Sequence, residues 1–148
     1  MTSVPPTSRG TVALDIRFDV VARPTAPAEA RRRLAREVGS VVPDDHLEIL
    51  KLLVTELVTN ALRHSPAGGR DWRIAVDVEC SRSRVRVAVR DPGRGFERRA
   101  PAPGPYDVSG RGLFLVDRLA DRWGVDNAGG TCVWFELHAA DVGDSLCC

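Results

Sequence analysis

Two polar residues, four positions apart, carry the first chemical signal in this sequence. Glu56 and Asn60 lie in the stretch from Thr55 to Ser65, TELVTNALRHS. On a helix, residues at this spacing lie one above the other on the same face. A carboxylate there can accept a proton from an attacking hydroxyl, and an amide oxygen can bind a hard cation such as Mg²⁺. The same spacing also fits the solvated face of an amphipathic helix, so the pair alone leaves both interpretations open.

A glycine-containing segment after a predicted strand adds a second signal. Asp91, Gly93 and Gly95 occur in DPGRG. Pro92 and Gly93 suit the central positions of a type II turn. Alternatively, Asp91 accepts a hydrogen bond from an exocyclic amine such as that of adenine, and the glycines let the base approach the backbone. The two interpretations are compatible, because the turn can be what aims the carboxylate.

A third signal lies in SGRGLFLV, where Gly110 and Gly112 open a predicted helix. Free backbone NH groups and the helix dipole favour a phosphate at such a position, and Arg111 adds positive charge. A loop end that uses glycine for flexibility explains the pattern equally well. The segment is not a dinucleotide motif, because Leu115 stands where GxGxxG needs its third glycine. The sequence also contains no GxxxxGK[ST] phosphate loop.

The elements that must position these residues follow from hydrophobic periodicity. Alternating apolar residues predict strands over 12–20, 72–80 and 84–91, the last two joined by a hairpin turn at 81–83. Apolar residues at helical spacing predict a helix from about Pro27 to Gly39 and a longer one from a cap at Asp44 to about His64. The predicted buried face of the longer helix is Leu47, Leu50, Val54, Leu57, Val58, Ala61 and Leu62.

The remaining chain predicts a lid-like loop, a third helix and a final hairpin. The third helix is predicted over 112–123, and the hairpin combines WGVDN and TCVWFELHA around a turn at 128–130. This order predicts an α+β fold, a two-layer α/β sandwich with a mixed, mostly antiparallel sheet and helices on one face. Residues 1–10 are expected to be a disordered leader, 11–138 one domain, and 139–148 a flexible tail.

Composition narrows the functional classes. The 148 residues are 43% hydrophobic and 28% charged, with a net charge of +1, as in ordinary globular domains. No apolar run approaches the roughly 20 residues of a membrane span, so a cytoplasmic protein without membrane association is expected. The arginines are spread along the chain and balanced by acids, which argues against direct nucleic-acid binding. Four cysteines show no zinc-like spacing.

As a set, these motifs resemble a known family. ExxxN at Glu56 and Asn60 resembles the N box of the Bergerat-fold ATPases, and DxGxG from Asp91 resembles their G1 box. GxGL from Gly110 resembles their G2 box. The GGT ending at Thr131 resembles a late turn whose threonine lies near the nucleotide. The segments ELVTNALRHS and GRGLFLVDRLADRWG are most similar to those of the anti-sigma-factor serine/threonine kinases. The resemblance covers residues 11–138.

This resemblance implies a role for each matching residue. Glu56 would be the catalytic base, Asn60 the Mg²⁺ ligand and Asp91 the adenine contact. Gly93 and Gly95 would lie against the base. Gly110, Arg111, Gly112 and Leu113 would form the phosphate-side lid of an ATP site. Such kinases sequester a sigma factor and phosphorylate an anti-anti-sigma partner, and the family also allows a homodimer.

Three other functions remain open. The chain could bind ATP as a regulatory module without kinase activity, or it could be a bare ATPase. A detached sensor-kinase domain is disfavoured, because the first 40 residues contain no helical segment with an acceptor histidine. The near-exclusive use of arginine, with Lys51 the only lysine, is consistent with a GC-rich bacterial source.

Overall fold

The computed structural model describes residues 12–63, 72–91, 111–126 and 130–138. The predicted leader and tail, together with Gly93, Gly95 and Gly110, lie outside these residues. The elements in chain order are β1 Val12–Val21, α1 Ala26–Val38, α2 Asp44–Arg63, β2 Arg73–Ser81, β3 Arg84–Asp91, α3 Arg111–Leu119, β4 Arg122–Asp126 and β5 Thr131–His138. Among the described helices, none has the length and apolarity that a membrane span needs.

The strands form a five-stranded sheet in the order β1-β2-β3-β5-β4. All four ladders between the described strands are antiparallel. Successive side chains of a strand point to opposite faces, and one face of this sheet packs against the helices while the other is open. The predicted α+β fold with helices on one face is therefore confirmed.

The long helix α2 lies at the centre of the helical layer, where it packs against α1, α3, β2 and β3. Its buried residues are Leu50, Leu53, Val54, Leu57, Val58 and Ala61. Five of the seven predicted core positions are thus correct. Leu47 and Leu62 are partly exposed, and Leu53 was not predicted. A helix packed between a second helix and a sheet buries a wider stripe than a single apolar face, and this wider stripe includes Leu53.

The start of α2 is attached to the end of the sheet. Asp44, predicted as the cap, is instead the first residue of the helix. The ring nitrogen Nε2 of His46 donates a hydrogen bond to the carbonyl oxygen of His138 at 3.1 Å, since a carbonyl can only accept. This bond fixes the first turn of α2 to the last residue of β5.

The third helix is shorter than predicted, because its last residues belong to a strand. The helix was predicted to reach Trp123, but α3 ends at Leu119 and β4 begins at Arg122. The backbone NH of Asp121 donates to the carbonyl of Glu136 at 2.9 Å, which starts the β4–β5 ladder directly after the helix. Pairing with β5 therefore overrides the helical spacing of the apolar residues. Ala120, not the more exposed Leu119, continues the inner face of α3.

Candidate functional site

Glu56 and Asn60 lie on α2, one turn apart, and both are partly buried. The hydroxyl groups of the neighbouring threonines make hydrogen bonds to backbone carbonyls of the same helix. The hydroxyl of Thr55 donates to the carbonyl of Lys51, and that of Thr59 donates to the carbonyl of Thr55, each at 2.7 Å. Within the described part of the chain, the side chains of Glu56 and Asn60 make no hydrogen bond and no ion pair. Their carboxylate and amide are therefore the polar groups on this helix face that can bind a ligand.

The threonines show what the sequence interpretation missed on this helix. Thr55 and Thr59 each come one residue before Glu56 and Asn60, and the four polar side chains form one stripe along α2. Threonine in a helix commonly bonds the carbonyl four residues earlier, and this tendency is the signal that separates the two kinds of residue. The stripe thus divides into two threonines that bond within the helix and two side chains that remain available.

Asp91 and Thr131 are direct partners in the β3–β5 ladder. Val89 and Val133, two residues away on each strand, are buried against the helices. Because side chains two apart share a face, Asp91 and Thr131 also lie on the helical side. Asp91 is only 6% exposed, and both residues make further contacts. The fold thus brings together two residues that were predicted from separate motifs.

The helix that carries Glu56 and Asn60 packs against the two elements that carry Asp91 and Arg111. It contacts β3, which ends at Asp91, and α3, which begins at Arg111. The backbone of Arg111 and Gly112 forms the first turn of α3, and Leu113 is partly buried against the core. The first described turn of α3 thus belongs to a helix that contacts α2.

The polar groups at this position fit Mg²⁺ and an adenine nucleotide. Mg²⁺ is usually held by one or two protein oxygens together with water and substrate phosphates. Asn60 offers one such oxygen, and among the described side chains no group of three or more His, Cys, Asp or Glu residues is placed so that it could hold a metal ion. The buried carboxylate of Asp91 is a hydrogen-bond acceptor that suits an exocyclic amine.

Comparison with known families agrees with this geometry. Residues 20–137 match the model of the histidine kinase-like ATPase domain, and the chain belongs to this family. The predicted resemblance is thereby confirmed, and ATP is the nucleotide that the family implies.

The chain is also similar to individual curated proteins. The chain is similar to the serine-protein kinase RsbW of Listeria monocytogenes serovar 1/2a, with 36% identity over 86 residues, 51% of this chain and 55% of the relative. It is 30% identical to the serine-protein kinase RsbW of Bacillus subtilis over 100 residues, 60% of this chain and 62% of that protein. With the Oceanobacillus iheyensis protein of the same name it shares 25% identity over 108 residues. The match to the Listeria protein thus spans little more than half of that relative's length.

Proposed function

We propose that this chain is a Mg²⁺- and ATP-dependent serine/threonine protein kinase that acts as an anti-sigma factor. It would sequester a sigma factor and phosphorylate a serine or threonine of an anti-anti-sigma partner. A sigma-factor partner would make this a cytoplasmic protein, with residues 11–138 as its ATP-binding domain. The similarity to proteins named serine-protein kinase RsbW supports the proposal.

The observation that carries the proposal is that the side chains of Glu56 and Asn60 on α2 have no hydrogen-bond or ion-pair partner among the described residues. Within the described residues, Glu56 and Asn60 have no partner of their own, although both are partly buried beside β3 and α3. Phosphoryl transfer depends mostly on positioning and on neutralising charge, so a cation ligand and a group that orients the hydroxyl are the main requirements. The pair offers both on one helix face.

Each residue then has a separate task. The carboxylate of Glu56 orients the partner's hydroxyl and accepts its proton, while the amide oxygen of Asn60 holds the cation. Asp91 accepts a hydrogen bond from the adenine amine, with Thr131 beside it and Gly93 and Gly95 against the base. When bound, Mg²⁺-ATP supplies the phosphoryl group to be transferred. Gly110, Arg111, Gly112 and Leu113 receive the phosphates.

Replacing Glu56 by Ala tests the kinase assignment. Loss of the base is expected to lower the rate of partner phosphorylation about 10²- to 10⁴-fold, while Mg²⁺-ATP binding changes by less than about threefold on the ordinary scale of surface substitutions. Asn60→Ala is expected to weaken Mg²⁺-dependent nucleotide binding as well. Glu48→Ala is the matched control, because Glu48 lies on the same helix and its one partner among the described residues is Lys51. Unchanged phosphorylation by Glu56→Ala would refute the role given to Glu56.

The second candidate is a regulatory module that binds ATP and a partner without phosphorylating it. The same two residues would then bind the nucleotide alone. A pull-down from the source cell with and without Mg²⁺-ATP, followed by phosphosite mapping, separates the two functions. A kinase yields a sigma factor together with a phosphorylated antagonist. A regulatory module yields an ATP-dependent partner without phosphate.

A further inference from the structure

An exposed leucine lies next to the candidate base on α2. Leu52 has 40% of its surface exposed, and it is the one large apolar residue of this helix, as far as the structure describes the chain, that is exposed to this degree. It comes four residues before Glu56, and Asn60 comes four residues after Glu56. Because residues four apart on a helix lie one above the other, the three side chains follow one another along one face of α2.

The polar groups that surround Leu52 on the helix already have partners. The hydroxyl of Thr55 donates to the carbonyl of Lys51 at 2.7 Å. The ammonium of Lys51 pairs with the carboxylate of Glu48 at 3.1 Å. Ile49, three residues before Leu52, is partly buried against the core. Leu52 is therefore the side chain on this part of the helix whose apolar surface remains in contact with water and can be covered by a partner.

The order of the three residues along the helix defines the side from which a substrate approaches. In phosphoryl transfer, the hydroxyl oxygen forms a bond to the γ-phosphorus while the bond to the oxygen of ADP breaks, and the two oxygens lie roughly in line. The hydroxyl proton passes to the carboxylate of Glu56. With the cation and the phosphates at Asn60, the hydroxyl comes to Glu56 from the opposite side, which is the side of Leu52.

We propose that Leu52 contacts the segment of the substrate protein that carries the phosphorylated serine or threonine, and that it selects an apolar side chain two residues from that hydroxyl. The kinase function proposed above is the basis of this assignment. Four residues of helix span about 6 Å between Leu52 and Glu56. Two residues of an extended chain span about 6.6 Å, and their side chains point to the same side. A segment whose hydroxyl faces Glu56 thus places the side chain two residues away over Leu52.

The chemistry of leucine determines which side chain fits there. Covering apolar surface stabilises a complex in proportion to the area removed from water. A charged side chain in the same place would lose hydration and gain no hydrogen bond from Leu52. Leu52 also has no proton to exchange, so it takes part in substrate selection and not in the chemical step. Its loss should therefore weaken binding of the substrate and leave the transfer step unchanged.

Steady-state kinetics with the antagonist protein recovered in the pull-down described above test this assignment. Leu52→Ser is expected to raise the KM for the antagonist about tenfold and to leave kcat within about twofold. Leu52→Met keeps an apolar side chain of similar volume, so its KM should stay within about twofold of the original. Leu119→Ser is the matched control, because Leu119 is 37% exposed and ends α3, the helix that begins at Arg111. The control should change neither constant, and circular dichroism confirms that each variant is folded.

Photochemical crosslinking gives a second measurement that does not depend on catalysis. The photoreactive residue p-benzoylphenylalanine replaces Leu52 in a chain that also carries Glu56→Ala, which is expected to retain binding. After irradiation with the antagonist and Mg²⁺-ATP, mass spectrometry locates the crosslink. We expect it at the residue two positions from the phosphosite or at an immediate neighbour of that residue. The same label in place of Leu119 should not react with this segment.

The possible results separate this assignment from the kinase function itself. An unchanged KM for Leu52→Ser would overturn the role of Leu52 while leaving the kinase function intact. So would a lower kcat without a change in KM, or a crosslink that lies far from the phosphosite in the antagonist sequence. If the original chain phosphorylates no recovered protein, the kinase function fails, and the role given to Leu52 fails with it.

Discussion

The buried carboxylate of Glu136 offers a quantitative test of how the side of the sheet that faces away from the helices is held together. Its side chain is 4% exposed and lies among three arginines. Arg84 and Arg86 are themselves mostly buried, with 16% and 12% of their side chains exposed. Arg122 is 58% exposed. Replacing Glu136 by Gln keeps the shape of the side chain but removes the negative charge that the arginines share.

The size of the effect follows from this burial. Removing one partner of a buried ion pair costs about 3–5 kcal/mol, because the remaining charge is left without compensation. Since Arg122 is largely hydrated and the other two arginines retain some exposure, we expect a value near the lower end. Glu136→Gln should therefore lower the free energy of unfolding by about 3 kcal/mol.

Urea denaturation at dilute protein concentration measures this change. With a slope of about 2 kcal/mol per molar urea, the midpoint should fall by about 1.5 M. Glu48→Gln is the control, because its carboxylate is 70% exposed and, in the part of the chain that the structure describes, pairs with Lys51 alone. An exposed pair contributes at most about 1 kcal/mol, so its midpoint should move little. A loss below about 1 kcal/mol for Glu136→Gln would show that the arginines do not depend on this carboxylate.

Two further substitutions test the packing of the sheet. Gly124→Ala is expected to destabilise the fold by about 1–3 kcal/mol in thermal or urea unfolding, because the added methyl would overlap the indole of Trp134. An unchanged midpoint would mean that the indole moves aside freely. Burial raises the pKa of the Cys80 thiol from 9.0 to about 12, so above pH 9 the unfolded chain releases a proton that the folded chain keeps. The free energy of unfolding should therefore fall as the pH rises from about 9 towards 12, and Cys80→Ala should remove that part of the slope. Equal slopes in the two proteins would contradict this account.

The first three strands and the long helix were predictable because their signals are local. The boundary between α3 and β4 was not. Leu113, Val116, Ala120 and Trp123 are spaced three or four apart, which fits a continuous helix as well as a helix followed by a strand. The strand is preferred because Trp123 and its neighbours pair with β5, a segment that comes later in the sequence. Periodicity within the segment does not contain that information.

The candidate site also combines features that the local sequence predicts with features that depend on strand pairing. The spacing of Glu56 and Asn60 is a local property, and the sequence alone predicts that they share a helix face. The adjacency of Asp91 and Thr131 depends on the register between β3 and β5. The burial of Glu136 was not predicted, because strand alternation assigns it to the side away from the core. Its three arginines come from β3 and β4, so only the assembled sheet covers it.

Strand β3 has a consequence for how this protein can vary. Its odd-numbered residues, up to Asp91, face the helices and the candidate site, while its even-numbered residues face the open side of the sheet. Substitutions at even positions can therefore alter the surface of the sheet without touching the groups proposed to bind the nucleotide. Without a bulge to absorb it, inserting or deleting one residue within β3 would exchange the two sets beyond that point and bring arginines into the core. The strand can thus change its residues on either side independently, whereas a change of its length affects both sides.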